Sequence, residues 1–302
     1  MNALRSIVVG VDFSECSAAA LKESIRLAAW NRAHVHPVHV LDTIVVTDLE
    51  RAISPIQQNL RDSLAAESRA RWADFASSIP GAGSLQLEVA VNNRAAGLLE
   101  RARHHQADLM ILGAFGDRTP EVGLGSVASG VVRASAGQRL RTLIVRHPHN
   151  GPFRSIIVCV DFSETSRLAL EAAVRVAAQD GASLTILHVF EAPWRVLHFR
   201  VPGGEPDAGL ETQMRADLES RLREFCTPFQ HELSYAKAEV VVLDYGSYRG
   251  GIPEYARAVR ADLVVLGTRG RTNLRDTLLG STAERVLTNA PCSVLTVPAP
   301  PA

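Results

Sequence analysis

One stretch decides the fold of this 302-residue chain: Gly267-Thr-Arg-Gly270, then nine residues, then Gly280-Ser-Thr282. A strand-like apolar run, Asp262 to Leu266, precedes it, and a helix-like segment, Thr282 to Asn289, follows it. A glycine in such a turn approaches a ligand closely or takes a positive φ, and the unpaired N–H groups at a helix start attract an anion. Open α/β sheets bind ligands at this kind of turn, so the sequence predicts a phosphate-binding loop.

The chain repeats most of its motifs once. Ile7-Val-Val-Gly-Val-Asp-Phe-Ser-Glu15 recurs 149 residues later as Ile156-Ile-Val-Cys-Val-Asp-Phe-Ser-Glu164, and Ala107-Asp-Leu-Met-Ile-Leu-Gly-Ala-Phe-Gly116 recurs 154 residues later as Ala261-Asp-Leu-Val-Val-Leu-Gly-Thr-Arg-Gly270. A period near half the chain indicates two similar domains, since solenoid repeats run to about 20 to 50 residues. We therefore predict domains at residues 1–148 and 149–302, with the seam in the proline- and glycine-containing segment 146–154.

Each half alternates strand-like and helix-like segments. Continuous apolar runs are typical of strands buried on both faces of a parallel sheet. The predicted strands are Ser6 to Val11, Val35 to Leu41, Leu85 to Val91, Asp108 to Leu112 and Thr142 to Val145, then Ile156 to Val160, Leu184 to Phe190, Glu239 to Leu243, Asp262 to Leu266 and Ser293 to Val297. The alternation predicts an α/β fold: two similar doubly wound α/β/α sandwich domains with five-stranded parallel sheets.

Composition narrows the class of protein. Lys plus Arg and Asp plus Glu are equal at 32 each, which argues against a nucleic-acid partner. No Gly-Lys-Ser/Thr element is present, so the loop is not of the Walker A kind. The N-terminal apolar run from Ile7 is broken at Asp12, and no apolar run approaches the roughly 20 residues of a membrane helix. We expect a cytoplasmic protein without a membrane partner.

These motifs together resemble the universal stress protein family. The resemblance rests on the strand ending at Asp161, the strand ending His188-Val189, the Gly-x2-Gly-x9-Gly-Ser/Thr spacing and the close Ala290-Pro-Cys-Ser-Val-Leu-Thr-Val297. It covers both halves almost end to end, and the glycine spacing is that of the ATP-binding members. It implies a tandem protein whose two domains are adenine-nucleotide alpha hydrolase-like, with ATP, accompanied by Mg²⁺, as its ligand.

The resemblance also implies where the nucleotide binds. It places adenine near Asp161 and the backbone of Val189, while the ribose and phosphates follow Gly267, Arg269, Gly270, Arg271, Gly280, Ser281 and Thr282. The chemistry agrees, because adenine needs an apolar slot with a few hydrogen bonds, whereas a triphosphate needs N–H donors. The corresponding residues of the first half are Asp12, Val40, Gly113, Gly116, Gly125 and Ser126.

The first half departs from the pattern. Eight residues rather than nine separate Gly116 from Gly125, and Asp117, Pro120 and Glu121 lie in the shortened loop. The missing residue shifts the last glycine, and a carboxylate repels phosphate. We therefore expect a degenerate site in the first domain and an intact ATP site in the second.

Simpler roles exist for two sets of residues. Asp12 and Asp161, each before Phe-Ser-Glu, are candidate helix N-caps or turn formers. Of the closely spaced histidines, only His34 and His36 share a face of their strand, and no carboxylate or cysteine follows at ligand spacing. The sequence therefore predicts no metal site.

The function expected is ATP-dependent regulation in a stress response rather than catalysis. No Gly-x-Ser-x-Gly nucleophile, Cys–His pair or general-base set accompanies the loop. The alternatives are a nucleotide-free scaffold for partner proteins or a small ligand, and a slow ATP hydrolase or nucleotidyl transferase. The family's dimers imply that Thr142 to Val145 and Val294 to Val297 pair within one chain as a pseudo-dimer, with a homodimer as the alternative; the protein partners are unidentified.

Overall fold

Two compact units, Asn2–Gly151 and Pro152–Ala302, make up the chain in the computed structural model. We call them the first and the second domain. The structure describes residues 4–53, 59–116, 123–149, 151–192, 208–246, 248–270 and 279–299.

The first domain is a five-stranded parallel sheet with helices between its strands. Its strands are β1 (Ser6–Gly10), β2 (His34–Asp42), β3 (Glu88–Asn92), β4 (Leu109–Gly113) and β5 (Arg141–Val145). Its helices are α1 (Glu15–Asn31), α2 (Thr43–Ile53), α3 (Leu60–Ser77), α4 (Arg94–His104) and α5 (Ser126–Ser135). The strand order is β3-β2-β1-β4-β5, so the winding direction reverses between β1 and β4.

The second domain repeats this architecture. Its strands are β6 (Ser155–Cys159), β7 (Ser183–Phe190), β8 (Glu239–Asp244), β9 (Leu263–Gly267) and β10 (Ser293–Val297), in the order β8-β7-β6-β9-β10. Its helices are α6 (Glu164–Asp180), α7 (Ala208–Cys226), α8 (Gln230–Tyr235), α9 (Tyr248–Ala258) and α10 (Ser281–Asn289). Across the described residues of both domains, no helix is long and apolar enough to cross a membrane.

The predicted doubly wound α/β fold is confirmed, because all strand pairs within each domain are parallel. Burial on both faces explains the continuous apolar strands: Ile7, Val8 and Val9 of β1 are fully buried. Right-handed crossovers place α4 and α5 on the face opposite α1. The carboxyl ends of β1, β2 and β4 therefore converge at one edge of the sheet.

One predicted strand begins later than expected. The apolar run from Leu85 predicts a strand there, but β3 begins at Glu88. The backbone of Leu85 has other partners: its N–H donates to the Ala82 carbonyl, and its carbonyl accepts from the indole of Trp72 at 3.1 Å. A local turn therefore replaces the ladder at Leu85.

A turn between Asp12 and Ser14 joins β1 to α1. The Asp12 carboxylate Oδ1 accepts from the Ser14 N–H at 3.0 Å and from the Ser14 hydroxyl at 2.5 Å. Ser14 in turn caps α1, since its Oγ accepts from the Ser17 N–H at 3.2 Å. Phe13 between them has φ 67°, a conformation that non-glycine residues rarely take. Asp12 is thus the turn former, and the N-cap is Ser14.

The second domain uses the same turn between β6 and α6. Asp161 Oδ1 accepts from the Ser163 N–H at 3.0 Å and from its hydroxyl at 2.6 Å. Ser163 caps α6 by accepting from the Ser166 N–H at 3.1 Å, and Phe162 has φ 65°. The repeated Asp-Phe-Ser sequence therefore encodes one structural unit in both domains.

Removal of the N-cap in Ser14→Ala is expected to lower the free energy of unfolding by about 1 to 2 kcal/mol. The change removes the acceptor for the Ser17 N–H and a donor to Asp12. Urea denaturation measures the loss, and Ser77→Ala is the control, because the Ser77 hydroxyl is exposed and donates to the Asp74 carbonyl within its own helix. Equal stability of Ser14→Ala and the parent would contradict this account of the turn.

Candidate functional site

A cavity of about 680 Å³ lies at the carboxyl ends of β1, β2 and β4 in the first domain. Its volume lies within the usual range for small-molecule sites, and it lies where the strand order reverses, the position at which doubly wound sheets bind ligands. All six residues predicted for the first-domain site line it: Asp12, Val40, Gly113, Gly116, Gly125 and Ser126.

Asp12 forms one wall of this cavity. Its Oδ1 atom is used by the turn to Ser14, and its Oδ2 atom lies against Gly116. A Cβ atom at Gly116 would be 2.7 Å from Oδ2, so only glycine leaves the carboxylate in this position. Because Asp12 is exposed and lines the cavity, its carboxylate can accept a hydrogen bond from an amine or hydroxyl of a ligand.

The backbone of Val40 forms a second wall. The Val11 N–H donates to the Val38 carbonyl at 2.8 Å, and β1 ends at Gly10. Backbone groups two residues apart on a strand point to the same side. The N–H and C=O of Val40 therefore point past the end of β1 and offer one donor and one acceptor to a ligand.

His39 holds this end of β1 and β2 together. Its Nδ1 atom lies 2.7 Å from the Val11 carbonyl, which can only accept, so Nδ1 carries the proton. Its ring packs against Phe13 with centroids 4.9 Å apart. Burial lowers the pKa of His39, which keeps the imidazole neutral at pH 7 and leaves Nε2 as an acceptor. His188 makes the same 2.7 Å contact with the Val160 carbonyl in the second domain.

The start of α5 forms the third wall. Gly125 precedes α5 without a side-chain cap from the described residues, and the first turn holds no acidic residue. Ser126, Val127 and Ala128 line the cavity, so the positive end of the helix faces it. An anionic group of a ligand fits here.

Of the two roles expected for the loop glycines, close approach and a positive φ, the last glycine of each loop has the first. Gly125 has φ −59° and Gly280 has φ −62°. Close approach of the backbone explains the glycine. The Gly125 N–H donates to the Ala114 carbonyl and the Gly280 N–H donates to the Thr268 carbonyl, each at 2.8 Å. A Cβ atom would lie 3.1 Å or 3.2 Å from that same carbonyl oxygen.

Two arginines that no sequence motif predicts also line the cavity. Arg71 of α3 lies over the Phe13 ring, 4.5 Å from its centroid, and Arg94 begins α4 with its Nε 3.6 Å from the Asp42 carboxylate. They come from two helices far apart in sequence, so spacing carries no signal for them. Both add positive charge beside the acidic Asp12 and Asp42.

The second domain reproduces the loop contacts. A Cβ atom at Gly270 would lie 2.7 Å from Asp161 Oδ2, and one at Gly267 would lie 2.6 Å from a Thr165 methyl. The Val160 N–H donates to the Leu187 carbonyl at 2.9 Å, so the backbone of Val189 points past the end of β6. The loops of the two domains are thus built alike where they are described.

The remaining predicted residues of the second domain lie beside these contacts. Arg269 lies between the two loop glycines, and Ser281 and Thr282 begin α10. Arg271 lies outside the described residues, as do Asp117, Pro120 and Glu121, on which the predicted degeneracy of the first loop depends. One electrostatic difference is described: the first turn of α10 contains Glu284, whereas that of α5 contains no acid.

Comparison with known proteins gives a family. The sequence profile of the universal stress protein family matches residues 3–137 and again residues 152–298. A universal stress protein A homolog of Coxiella burnetii is 32% identical over 146 residues, which are 48% of this chain and 96% of the relative. A universal stress protein of Mycobacterium tuberculosis is 28% identical over 299 residues, 94% of this chain and 93% of the relative.

Solved structures share the fold. The crystal structure of a universal stress protein from Archaeoglobus fulgidus superposes with a TM-score of 0.63. The superposition covers 97% of this chain and 98% of the Archaeoglobus fulgidus chain, at 20% sequence identity. At that identity the similarity shows the fold alone.

Replacement of His39 by Asn is expected to reduce the loss of stability in acid. The folded-state pKa of His39 is lowered, so as the pH falls below about 6.5 the unfolded chain binds the proton first and the free energy of unfolding declines. Asn keeps an N–H donor but does not titrate. Urea denaturation of both chains at about pH 7.5 and about pH 5.5 measures the difference, and an equal decline in both would contradict the prediction.

Proposed function

The chain belongs to the universal stress protein family, and we propose that it binds adenine nucleotide and regulates a stress response through it. The observation that carries the proposal is the first-domain cavity, in which a carboxylate, an open strand backbone and a helix N-terminus surround one space. These three groups match the base, the ribose and the phosphates of one ligand.

The base and ribose fit the strand end of the cavity. An adenine edge presents one donor and one acceptor beside each other, which the backbone of Val40 complements. Val38, Val40 and Leu98 supply apolar walls for the ring. The Asp12 carboxylate accepts from the exocyclic amine or from a ribose hydroxyl.

The phosphates fit the helix end. Backbone N–H groups of the α5 start bind phosphate oxygens without side-chain bulk, and Gly125 lets the loop run close behind them. Mg²⁺ binds through phosphate oxygens and one or two carboxylates, and Asp12 and Asp42 offer carboxylates among the described residues of this cavity. The residues present therefore fit ATP with its metal ion.

In the second domain, the intact Gly-x2-Gly-x9-Gly-Ser loop supports the same ligand. Its contacts at Asp161 and Gly270 match those at Asp12 and Gly116 of the first domain. We therefore propose ATP in the second domain and a second nucleotide site in the first. The shorter loop of the first domain weakens phosphate binding there.

Binding rather than turnover is the activity proposed. Among the described residues that line the cavity, His39 is the one imidazole, and its Nδ1–H is taken by the Val11 carbonyl. Regulation then follows from nucleotide occupancy, because the bound nucleotide changes the surface to which partner proteins bind. A cytoplasmic location and the pairing of the two last strands stay predictions from the sequence.

One observation favours a second candidate, the binding of a small apolar ligand. Val45, Leu49 and Leu64 extend the first-domain cavity with an apolar wall away from the loop. Val45 is 59% exposed, so this wall remains open to solvent. An apolar fluorescent probe that binds here and resists displacement by ATP would favour this candidate.

Calorimetric titration with Mg·ATP tests nucleotide binding. Gly280→Val and Gly125→Val each place a branched side chain against a loop carbonyl and beside the phosphate position, and each should weaken its own site at least tenfold. At free ATP about a hundred times the Kd of one site, ATP bound at that site should add about 2.7 kcal/mol to the free energy of unfolding.

The control is Gly83→Val, because a Cβ atom at Gly83 meets nothing within 4 Å. It should bind ATP like the parent. If the folded double variant Gly125→Val/Gly280→Val also binds ATP like the parent, the proposed sites are wrong. Circular dichroism of each variant establishes that it is folded.

A further inference from the structure

Three polar side chains from different elements of the first domain meet near the amino-terminal end of its sheet: His36 of β2, Glu88 at the start of β3 and His105 directly after α4. His105 Nε2 lies 2.6 Å from Glu88 Oε1, and His36 Nδ1 lies 3.9 Å from the same oxygen. The three atoms all lie within 4.8 Å of one another. The side chains are partly buried, with exposures of 26% for His36, 32% for Glu88 and 16% for His105.

The topology brings these residues together. Glu88 is the register partner of Val38, so it shares a face of the sheet with His36, two residues earlier on β2. Helix α4 covers this face, since a Cβ atom at Gly97 would lie 2.9 Å from a Val40 methyl. The helix then ends at His104 and delivers His105 above Glu88. No fixed sequence spacing encodes such a set, which explains why spacing alone predicts no metal site.

We propose that His36, Glu88 and His105 bind a divalent transition-metal ion of the zinc class. Two imidazole nitrogens and one carboxylate oxygen form a known zinc ligand set that leaves a position for water. Nitrogen donors disfavour Mg²⁺ and Ca²⁺, which prefer oxygen. Tetrahedral zinc with bonds of about 2.0 to 2.2 Å needs ligand atoms about 3.4 Å apart, a distance that the contacts of this cluster bracket.

The surroundings of His105 Nε2 favour metal binding. Among the described residues its buried Nε2 atom has no hydrogen-bond partner, and Glu88 Oε1, 2.6 Å away, forms at most an ion pair with it. Arg101 Nη1 lies 3.9 Å from Glu88 Oε2, so Arg101 orients one carboxylate oxygen and leaves Oε1 for the metal. A metal ion that binds both His105 Nε2 and Glu88 Oε1 would give each atom a partner.

Binding requires one rearrangement. The rings of His36 and His105 are stacked, with centroids 3.7 Å apart and an interplanar angle of 15°. Stacked rings direct their lone pairs side by side, so the rings must open to converge on one ion. Their partial exposure permits this rotation. The site is distinct from the nucleotide cavity, because the 11-residue α4, about 16 Å long, runs from Arg94 on that cavity to His104.

The second domain supplies an internal comparison. The Ser183 N–H donates to the Arg154 carbonyl as the His34 N–H donates to the Arg5 carbonyl, and the Val259 N–H donates to the Tyr255 carbonyl as the His105 N–H donates to the Arg101 carbonyl. These paired contacts identify the positions of the second domain that match His36, Glu88 and His105. These positions hold Thr185, Val241 and Val259. None of the three is a zinc ligand, so the proposal requires one metal ion per chain rather than two.

Titration of tag-free, EDTA-treated full-length protein with Co²⁺, followed by displacement with Zn²⁺, tests the proposal without nucleotide present. One equivalent should bind, with the visible absorption of low-coordinate Co²⁺ and without a thiolate charge-transfer band. His105→Gln and Glu88→Gln should each lower the affinity at least tenfold. His104→Gln, which changes the exposed neighbour of His105, should bind like the parent.

Stability in EDTA separates folding from binding, since all variants should unfold close to the parent without metal. If His105→Gln fails to fold, Glu88→Gln carries the same comparison. The proposal is overturned if the parent binds no Co²⁺ or Zn²⁺, if His105→Gln and Glu88→Gln keep the parent's affinity, or if the bound Co²⁺ shows thiolate ligands.

Discussion

The hydrogen bonds from Ser14 to Asp12, repeated from Ser163 to Asp161, are the interaction on which the proposed nucleotide site of each domain depends. Each pair ends a buried strand, holds the next residue at positive φ and starts a capped helix. It also presents the second carboxylate oxygen to the glycine of the neighbouring loop. One turn thereby sets the distance between the strand end and the glycine loop, the space in which we propose that a nucleotide binds.

Much of the fold is predictable from the sequence because its main signals are local or repeated. Fully buried strands need continuous apolar runs, and the motif shared by Ile7 to Glu15 and Ile156 to Glu164 reveals the duplication directly. The prediction is wrong in detail where a local turn competes, as at Leu85. The sequence leaves open whether Gly125 and Gly280 serve a close approach or a positive φ, and the structure shows the close approach of a carbonyl at both.

The candidate sites also contain residues that the sequence predicts and residues that it misses. The residues of the first-domain cavity that belong to the repeated motifs, such as Asp12 and Gly116, are predicted from the sequence and line one cavity. Arg71 and Arg94 are missed because helices deliver them from elsewhere in the chain. The cluster formed by Glu88 and two histidines is missed for the same reason. Tertiary structure creates these juxtapositions, and no spacing rule represents them.

The central claim, that the chain is a nucleotide-binding member of its family, is tested most directly by what the protein carries. Protein purified without added nucleotide is denatured, and the released small molecules are separated by chromatography and identified by mass spectrometry. We predict ATP, ADP or AMP in a ratio to protein that falls when Gly125 and Gly280 are both replaced by Val. Protein that releases no adenine nucleotide, and that takes up none from millimolar ATP, would contradict it.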